Sequence, residues 1–219
     1  MMITAHGGAL ATGKNTYRYF RKMSDYKIDS IEVDIRSWNK VLHLAHTLPR
    51  PFLFRAIRLS YVFDYCKKHN VMVNCDVKRK GLVKPVLDLA KSMDAADYIY
   101  FTGSVVPKEI PNLDAGIVYV NKLFYDKKYS LSVENLPKIK EYLDSFNNPR
   151  IKGINIHYSY ASNEFIKKAK EIGLGVSIYT VDDAAMLERL IALEPDNITT
   201  NRIDLALPLR TAYLDSCKR

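Results

Sequence analysis

Two short segments of this 219-residue chain place ionisable side chains two residues apart. SIEVDIR, residues 30 to 36, carries Glu32 and Asp34, and VNCDVK carries Asp76 and Lys78. Both segments are rich in β-branched residues, and in a strand residues two apart emerge on one face. If Glu32, Asp34 and Asp76 converge, their like charges repel and raise one another's pKa. A hard divalent cation, Mg2+ or Ca2+, removes that penalty and takes oxygen ligands. Zinc fits less well, because the histidines are not paired at helical spacing in an open-site motif. The plainer alternative has Ile31, Val33 and Ile35 facing a core while Ser30, Glu32, Asp34 and Arg36 face water, as in any half-exposed strand.

Histidine supplies the other half of a possible reaction. His6 closes the run MITAH, His157 falls near the end of GINIHY, and His43 and His46 follow the second strand. Two imidazoles flanking a scissile bond can act as base and acid near neutral pH. Each histidine taken singly also suits the surface or a hydrogen-bonded core, and their joint placement after separate strands is what favours chemistry. Metal, acid, base and cation together suit phosphoryl transfer. Lys78, on the same strand face as Asp76, can neutralise phosphate oxygens as their charge rearranges.

These residues need a scaffold that gathers strand ends. Strand patterns fall at 2–6, 30–35, 71–77, 98–103, 116–120, 153–158, 174–180 and 197–200. Between them lie helical patterns such as VKPVLDLAKSMDA, SVENLPKIKEYLDSF, NEFIKKAKEIG and DDAAMLERLIALE, with apolar residues three and four apart and Gly173 placed as a helix C-terminal glycine. Alternating strands and helices of this number predict an α/β fold, a (β/α)8 TIM barrel whose chemistry sits at the C-terminal ends of the strands. An open, doubly wound sheet is the runner-up, but no G-x-G-x-x-G turn or GxxxxGK[ST] loop is present.

Bulk properties agree with one domain spanning residues 1–219, since 47% of the residues are hydrophobic. A net charge of +9 favours a phosphate-bearing small molecule, an anionic lipid surface or nucleic acid. The charges are spread along the chain without a long basic block, which argues against a nucleic-acid partner. Cys66, Cys75 and Cys217 are odd in number and form no C-x-x-C pair, so a reducing compartment is expected. MMITAHGG has no signal-peptide pattern, and no stretch approaches the roughly twenty apolar residues of a membrane span. The expectation is a cytoplasmic protein with a small-molecule partner.

The order ITAHGG, KNTYRYF, IDSIEVDIR, VLHLAHT, VNCDVK, GLGVSIYTVDD and DNITTNRIDL resembles the glycerophosphodiester phosphodiesterase family, as a divergent member, from about residue 3 to about residue 207. That family is a (β/α)8 barrel that uses a divalent metal to hydrolyse glycerophosphodiesters to glycerol 3-phosphate and an alcohol. The resemblance implies His6 and His46 as the acid/base pair, Glu32 and Asp34 as metal ligands, and Asp76 in the place of the family's third acidic ligand. Lys78 matches the lysine of the same motif.

The departures from the family bear on activity and substrate. Gly7 replaces the arginine of a His-Arg-Gly motif, and Lys14 stands where an acid is expected, so an opposite-charge pair is missing as a unit. Lys14 is placed to return positive charge near a phosphate. Tyr179 replaces a tryptophan and keeps an aromatic wall, while Thr47 replaces an aspartate. Lys78, Lys14, His157 and Tyr179 are therefore the expected substrate-binding residues. The residue set is also similar to sphingomyelinase D-like relatives, which makes a lysophospholipid the alternative substrate. A catalytically impaired phosphodiester-binding barrel is the other alternative.

Overall fold

The β-branched runs become strands because they present apolar side chains to a ring of helices on alternate positions. Ile3 and Ala5, Ile31, Val33 and Ile35, Val73, Cys75 and Val77, Ile154 and Ile156 are all fully buried. The computed structural model describes residues 1–47, 56–106, 115–125 and 127–218. Strands β1 (Met2–Ala5), β2 (Ser30–Trp38), β4 (Met72–Val77), β5 (Ile99–Gly103), β6 (Ile117–Asn121), β7 (Ile151–His157), β8 (Gly175–Tyr179) and β9 (Asn197–Thr200) pair in parallel, and the β1–β2 pairing closes them into a barrel. The (β/α)8 expectation is met. An added strand, β3 (Val41–Leu44), runs antiparallel to the end of β2. It forms a hairpin that rises beyond the barrel at the C-terminal ends of the strands.

Helices α1 (Tyr17–Met23), α2 (Leu59–His69), α3 (Val83–Ser92), α4 (Leu136–Asp144), α5 (Asn163–Glu171), α6 (Ala184–Leu193) and α7 (Ile203–Ser216) cover the outside. Three of their starts, those of α1, α5 and α6, are set by short polar side chains that satisfy free backbone N–H groups. Thr16 accepts from the Tyr19 amide, Ser162 from Phe165 and Asp183 from Met186. Gly173, at φ 68°, lies two residues past the end of α5. Among the described residues no helix is long and apolar enough to cross a membrane.

The barrel interior is polar, whereas TIM barrels are usually filled by branched aliphatic side chains. Thr4 donates to Asn197 Oδ1 at 2.6 Å and takes the Tyr100 hydroxyl at 2.8 Å. Asn197 donates in turn to Ser177 Oγ at 3.0 Å and Thr199 Oγ1 at 3.2 Å. These buried groups satisfy one another across β1, β5, β8 and β9, which is what makes a polar interior tolerable. They form the floor beneath the candidate site.

Candidate active site

Register brings the carboxylates together. Asp34 is the cross-strand partner of Asp76, and Glu32 that of Asn74, so all four side chains share the inner face of β2 and β4. Glu32 is 7% and Asp34 5% exposed, so the water-facing reading of SIEVDIR fails: its charged face lines the barrel, not the surface. One oxygen from each of Glu32, Asp34 and Asp76 lies within 4.8 Å of the others. Lys78 Nζ binds Asp34 Oδ1 at 2.8 Å and also pairs with Asp76 Oδ2. Asn15 holds Asp34 from a second side, donating to Oδ2 at 2.8 Å while its own Oδ1 accepts the Asp34 amide at 3.1 Å. Its φ of 55° is a left-handed backbone that asparagine tolerates well.

The electrostatics follow from burial and neighbours. Burial first, then the charges of Asp76 and Asp34, push the Glu32 carboxyl up to about 8. Burial also acts against Asp34, but the Lys78 ammonium, Asn15 and His46 outweigh it and hold its pKa below the usual value. Asp76 is raised, since its burial exceeds the help it receives from Lys78. Burial works against the Lys78 ammonium too, and Asp76 and Asp34 more than compensate, so its pKa is raised. Asp76 Oδ1 is buried with no hydrogen-bond partner. An unpaired carboxylate oxygen beside two more carboxylates, in an all-oxygen set, fits a hard divalent cation and fits little else.

Gly103 makes that geometry possible. It sits at φ +84°, and a Cβ there would stand 2.1 Å from Asp76 Oδ1. Its amide donates to Asn121 Oδ1 at 2.8 Å, and the same oxygen accepts from Asn155 at 3.3 Å.

The two imidazoles flank the acidic cluster. His6, just past β1, has Nε2 3.5 Å from Glu32 Oε1, and its Nδ1 lies 2.9 Å from Asn201 Oδ1. Asn201 is oriented by Asp182, which accepts from its Nδ2 at 2.8 Å and its backbone amide at 2.7 Å. The amide oxygen of Asn201 therefore faces the ring, so Nδ1 carries the proton and Nε2 presents its lone pair to the cavity. Burial lowers the His6 pKa, with Lys14 adding to that effect and Asn201 opposing it. His46 stands at the exposed rim, with Nδ1 3.3 Å from Asp34 Oδ1. Arg36 fixes the backbone there through Nε and Nη2 bonds of 3.2 and 3.1 Å to the His46 carbonyl.

A cavity of about 460 Å3 opens above these groups, lined also by Arg36, Ser104, Asn121, Asn155 and Tyr179. Of the residues singled out from the sequence, His6, Glu32, Asp34, His46, Asp76, Lys78 and Tyr179 line this cavity. Lys14 is exposed beside it, close enough to act electrostatically on His6. His157 is exposed outside it, bonded to Ser159 Oγ at 2.8 Å and set edge-on to Tyr179 with ring centroids 6.0 Å apart. His43 lies within β3, cross-strand from Arg36, and does not line the cavity. Sequence reasoning missed Asn15, Asn74, Asn201 and Asp182, which orient the residues it found.

No protein-family model matches the chain, and no curated protein matches it at a significant level. Solved structures do. A phosphodiesterase from Oleispira antarctica, determined with its product sn-glycerol-3-phosphate, superposes with a TM-score of 0.77 at 14% identity over 95% of this chain and 96% of that one. A glycerophosphodiester phosphodiesterase from Parabacteroides distasonis gives 0.76 at 16% identity over 97% and 98%. The fold is that of glycerophosphodiester phosphodiesterases. One from Agrobacterium tumefaciens gives 0.71 at 16% identity, covering 96% of this chain and 99% of its own. The likeness is one of fold along nearly the whole length. The site itself rests on the residues described above.

Proposed function

We propose that the protein is a metal-dependent phosphoric diester hydrolase acting on glycerophosphodiesters, releasing glycerol 3-phosphate and an alcohol. The observation that carries this reading is the meeting of three carboxylates, one with an unpaired buried oxygen, between two imidazoles at one barrel mouth. The likeness to phosphodiesterase structures, one holding sn-glycerol-3-phosphate, supports the same substrate class. Glu32, Asp34 and Asp76 are the residues to hold Mg2+ or Ca2+. When bound, such an ion neutralises phosphate charge and acidifies a coordinated oxygen.

The chain's own residues divide the remaining work. His6, kept neutral by burial and held with Nε2 toward the cavity, takes the proton of the attacking hydroxyl, whether glycerol hydroxyl or water. Asp182 and Asn201 hold that tautomer. Asp34 accepts from His46 Nδ1–H and so favours the imidazolium, whose Nε2–H at the open rim protonates the departing alkoxide. Lys78 faces the non-bridging phosphate oxygens, and Lys14 adds positive charge at the edge. Tyr179 forms the aromatic wall beside the glycerol, with His157 bracing it from outside.

The test is turnover of glycerophosphocholine, glycerophosphoethanolamine and a lysophospholipid, with Mg2+, Ca2+ or chelator. Hydrolysis should require the cation and disappear in His6→Ala and His46→Ala proteins that remain folded. Full activity in both variants would sink the assignment. Tight binding of one compound without turnover would favour a binding barrel, the reading that Gly7 and Lys14 prompt.

A further inference from the structure

The tip of the β2–β3 hairpin, residues 38 to 41, takes no part in the reaction proposed above. Its turn residues Asn39 and Lys40 both have positive φ, 46° and 63°, the type I′ geometry that suits a tight hairpin. Trp38 and Val41 are cross-strand partners at its tip and so share one face. They are 52% and 39% exposed. Trp38 is the chain's sole tryptophan. Across the mouth, the turn after β7 exposes Tyr158 and Tyr160, each at 37%. Lys122 donates to the Tyr160 hydroxyl at 2.7 Å and lies over its ring.

Basic side chains outnumber acids on the described loops around the mouth. The loops that leave the strands at the mouth expose Lys14, Lys40, Arg79, Lys80, Lys127 and Lys128, against the acids Glu134, Asp182 and Asp183. The loops at the opposite end expose Asp25, Asp94, Asp97, Glu194 and Asp196, and these acids stand beside the basic last turns of the helices, Arg21, Lys22, Lys67, Lys68, Lys91 and Lys170, so charge of both signs is mixed there. The described loops of the face that opens the cavity thus carry a net positive charge. A positively charged rim around an exposed aromatic and aliphatic tip is attracted to an anionic surface.

We propose that the mouth face docks on an anionic lipid bilayer, with Trp38 and Val41 entering the interface and the basic loops meeting the headgroups. Aromatic side chains favour that boundary, and basic residues near it add electrostatic attraction. A nucleic acid would use the charges yet leave the Trp38–Val41 pair in water. Docking sets the cavity against lipid-borne phosphodiesters, a consequence that rests on the function proposed above; the docking itself does not.

The single tryptophan reports on the event directly. Full-length protein is mixed with vesicles of phosphatidylcholine alone or with about a third phosphatidylglycerol, the anionic fraction that recruits basic faces. On the anionic vesicles Trp38 emission should shift to the blue and be quenched by lipids brominated in the acyl chain. Each basic residue near such a surface is worth about fivefold in partitioning, so the combined Lys40→Gln, Arg79→Gln and Lys80→Gln variant should bind roughly a hundredfold more weakly. Val41→Ser and Trp38→Ala should reduce co-sedimentation while sparing turnover of soluble glycerophosphocholine. Unchanged Trp38 emission at saturating anionic lipid overturns the proposal, as does equal binding by the triple variant. Duplex DNA binding that competes with vesicles and ignores Trp38→Ala also overturns it, in favour of a general polyanion surface. Docking without turnover supports this proposal and counts against the hydrolase reading; turnover without docking does the reverse.

Discussion

Replacing Glu32 by glutamine in metal-free protein tests whether the carboxylate cluster is a site held ready for a cation. Native Glu32 keeps its proton up to about pH 8, whereas the unfolded chain gives it up near the ordinary 4.5. The native state therefore binds more protons through that window, and stability falls as pH rises across it. The contribution is fully present below 4.5 and lost above about 8. At about 1.4 kcal/mol per tenfold change in proton affinity, the gap amounts to roughly 5 kcal/mol. The cavity opens to solvent, and water entering around the ionised group relieves part of this, leaving about 2–4 kcal/mol. Glu32→Gln keeps the shape and the bond from Asn74 and carries no charge, so the variant should lack this slope. In a domain of this size the difference is roughly 5 to 15 °C in Tm near pH 9, shrinking to nothing near pH 4. Thermal unfolding of both proteins in chelator across that range measures it, and the contributions common to both cancel. Mg2+ or Ca2+ should then raise the wild-type Tm at alkaline pH and raise the variant far less. Curves that stay parallel from acid to alkali would refute the idea that Glu32 is held protonated for want of a counter-ion.

Other consequences concern the groups around that cluster. The acid limb of kcat/KM should lie below the usual 6.5 of histidine, because the base must be neutral and burial lowers the His6 pKa; a limb above that value would remove His6 from the role. Asp182→Asn frees the Asn201 amide to present its NH2 to His6 and select the other tautomer. It should lower kcat about 10-fold or more, as other lost orienting partners do, with unchanged Tm and metal affinity read by calorimetry. Gly103→Ala forces a Cβ to within 2.1 Å of Asp76 Oδ1 at a backbone φ of +84°, so both metal binding and stability should fall, the latter by more than about 1 kcal/mol in urea unfolding.

The barrel was legible because its strands alternate with helices and each strand is a β-branched run. The eight expected strands appear with boundaries shifted by no more than three residues, the largest shift being the extension of β2 to Trp38. The polar floor was not legible: Thr4, Ser177 and Asn197 sit in short apolar runs, and only closure of the barrel shows that they face inward. Strand β3 was missed for a local reason. Its turn uses Asn39 and Lys40, and lysine in the left-handed region is no recognised hairpin signal. His43 consequently looked like a loop residue near a site when it is a strand residue beside Arg36. Ligand types two apart on a strand were readable, since spacing alone puts them on one face. Asn15, Asn201 and Asp182 were not, because amides and acids that orient other side chains have no spacing rule. Their positions are fixed by loops after β1, β8 and β9 that meet only in the folded barrel.

The polar interior explains how the site can hold a nearly buried cluster of acids, whose supports from below are neutral side chains. Thr102 donates to Asn74 Oδ1 at 2.9 Å, which turns the Asn74 amide so that its NH2 reaches Glu32 Oε2 at 3.2 Å. A neutral dipole aimed from below stabilises the carboxylate without pairing its charge away, and a fixed cation in that place would compete with a metal. Lys78 is the exception, and its placement differs in kind. It lies above the ligands at the mouth, on a flexible stem, where it binds outer oxygens of Asp34 and Asp76 and leaves Asp76 Oδ1 unpaired. A compact ammonium on a long stem can move from carboxylate to phosphate with little rearrangement of the backbone. Asn15 and Asn74, the fixed partners, are thus neutral and the Lys78 ammonium is movable, an arrangement that suits a site whose own charge must change when a cation and an anionic substrate arrive.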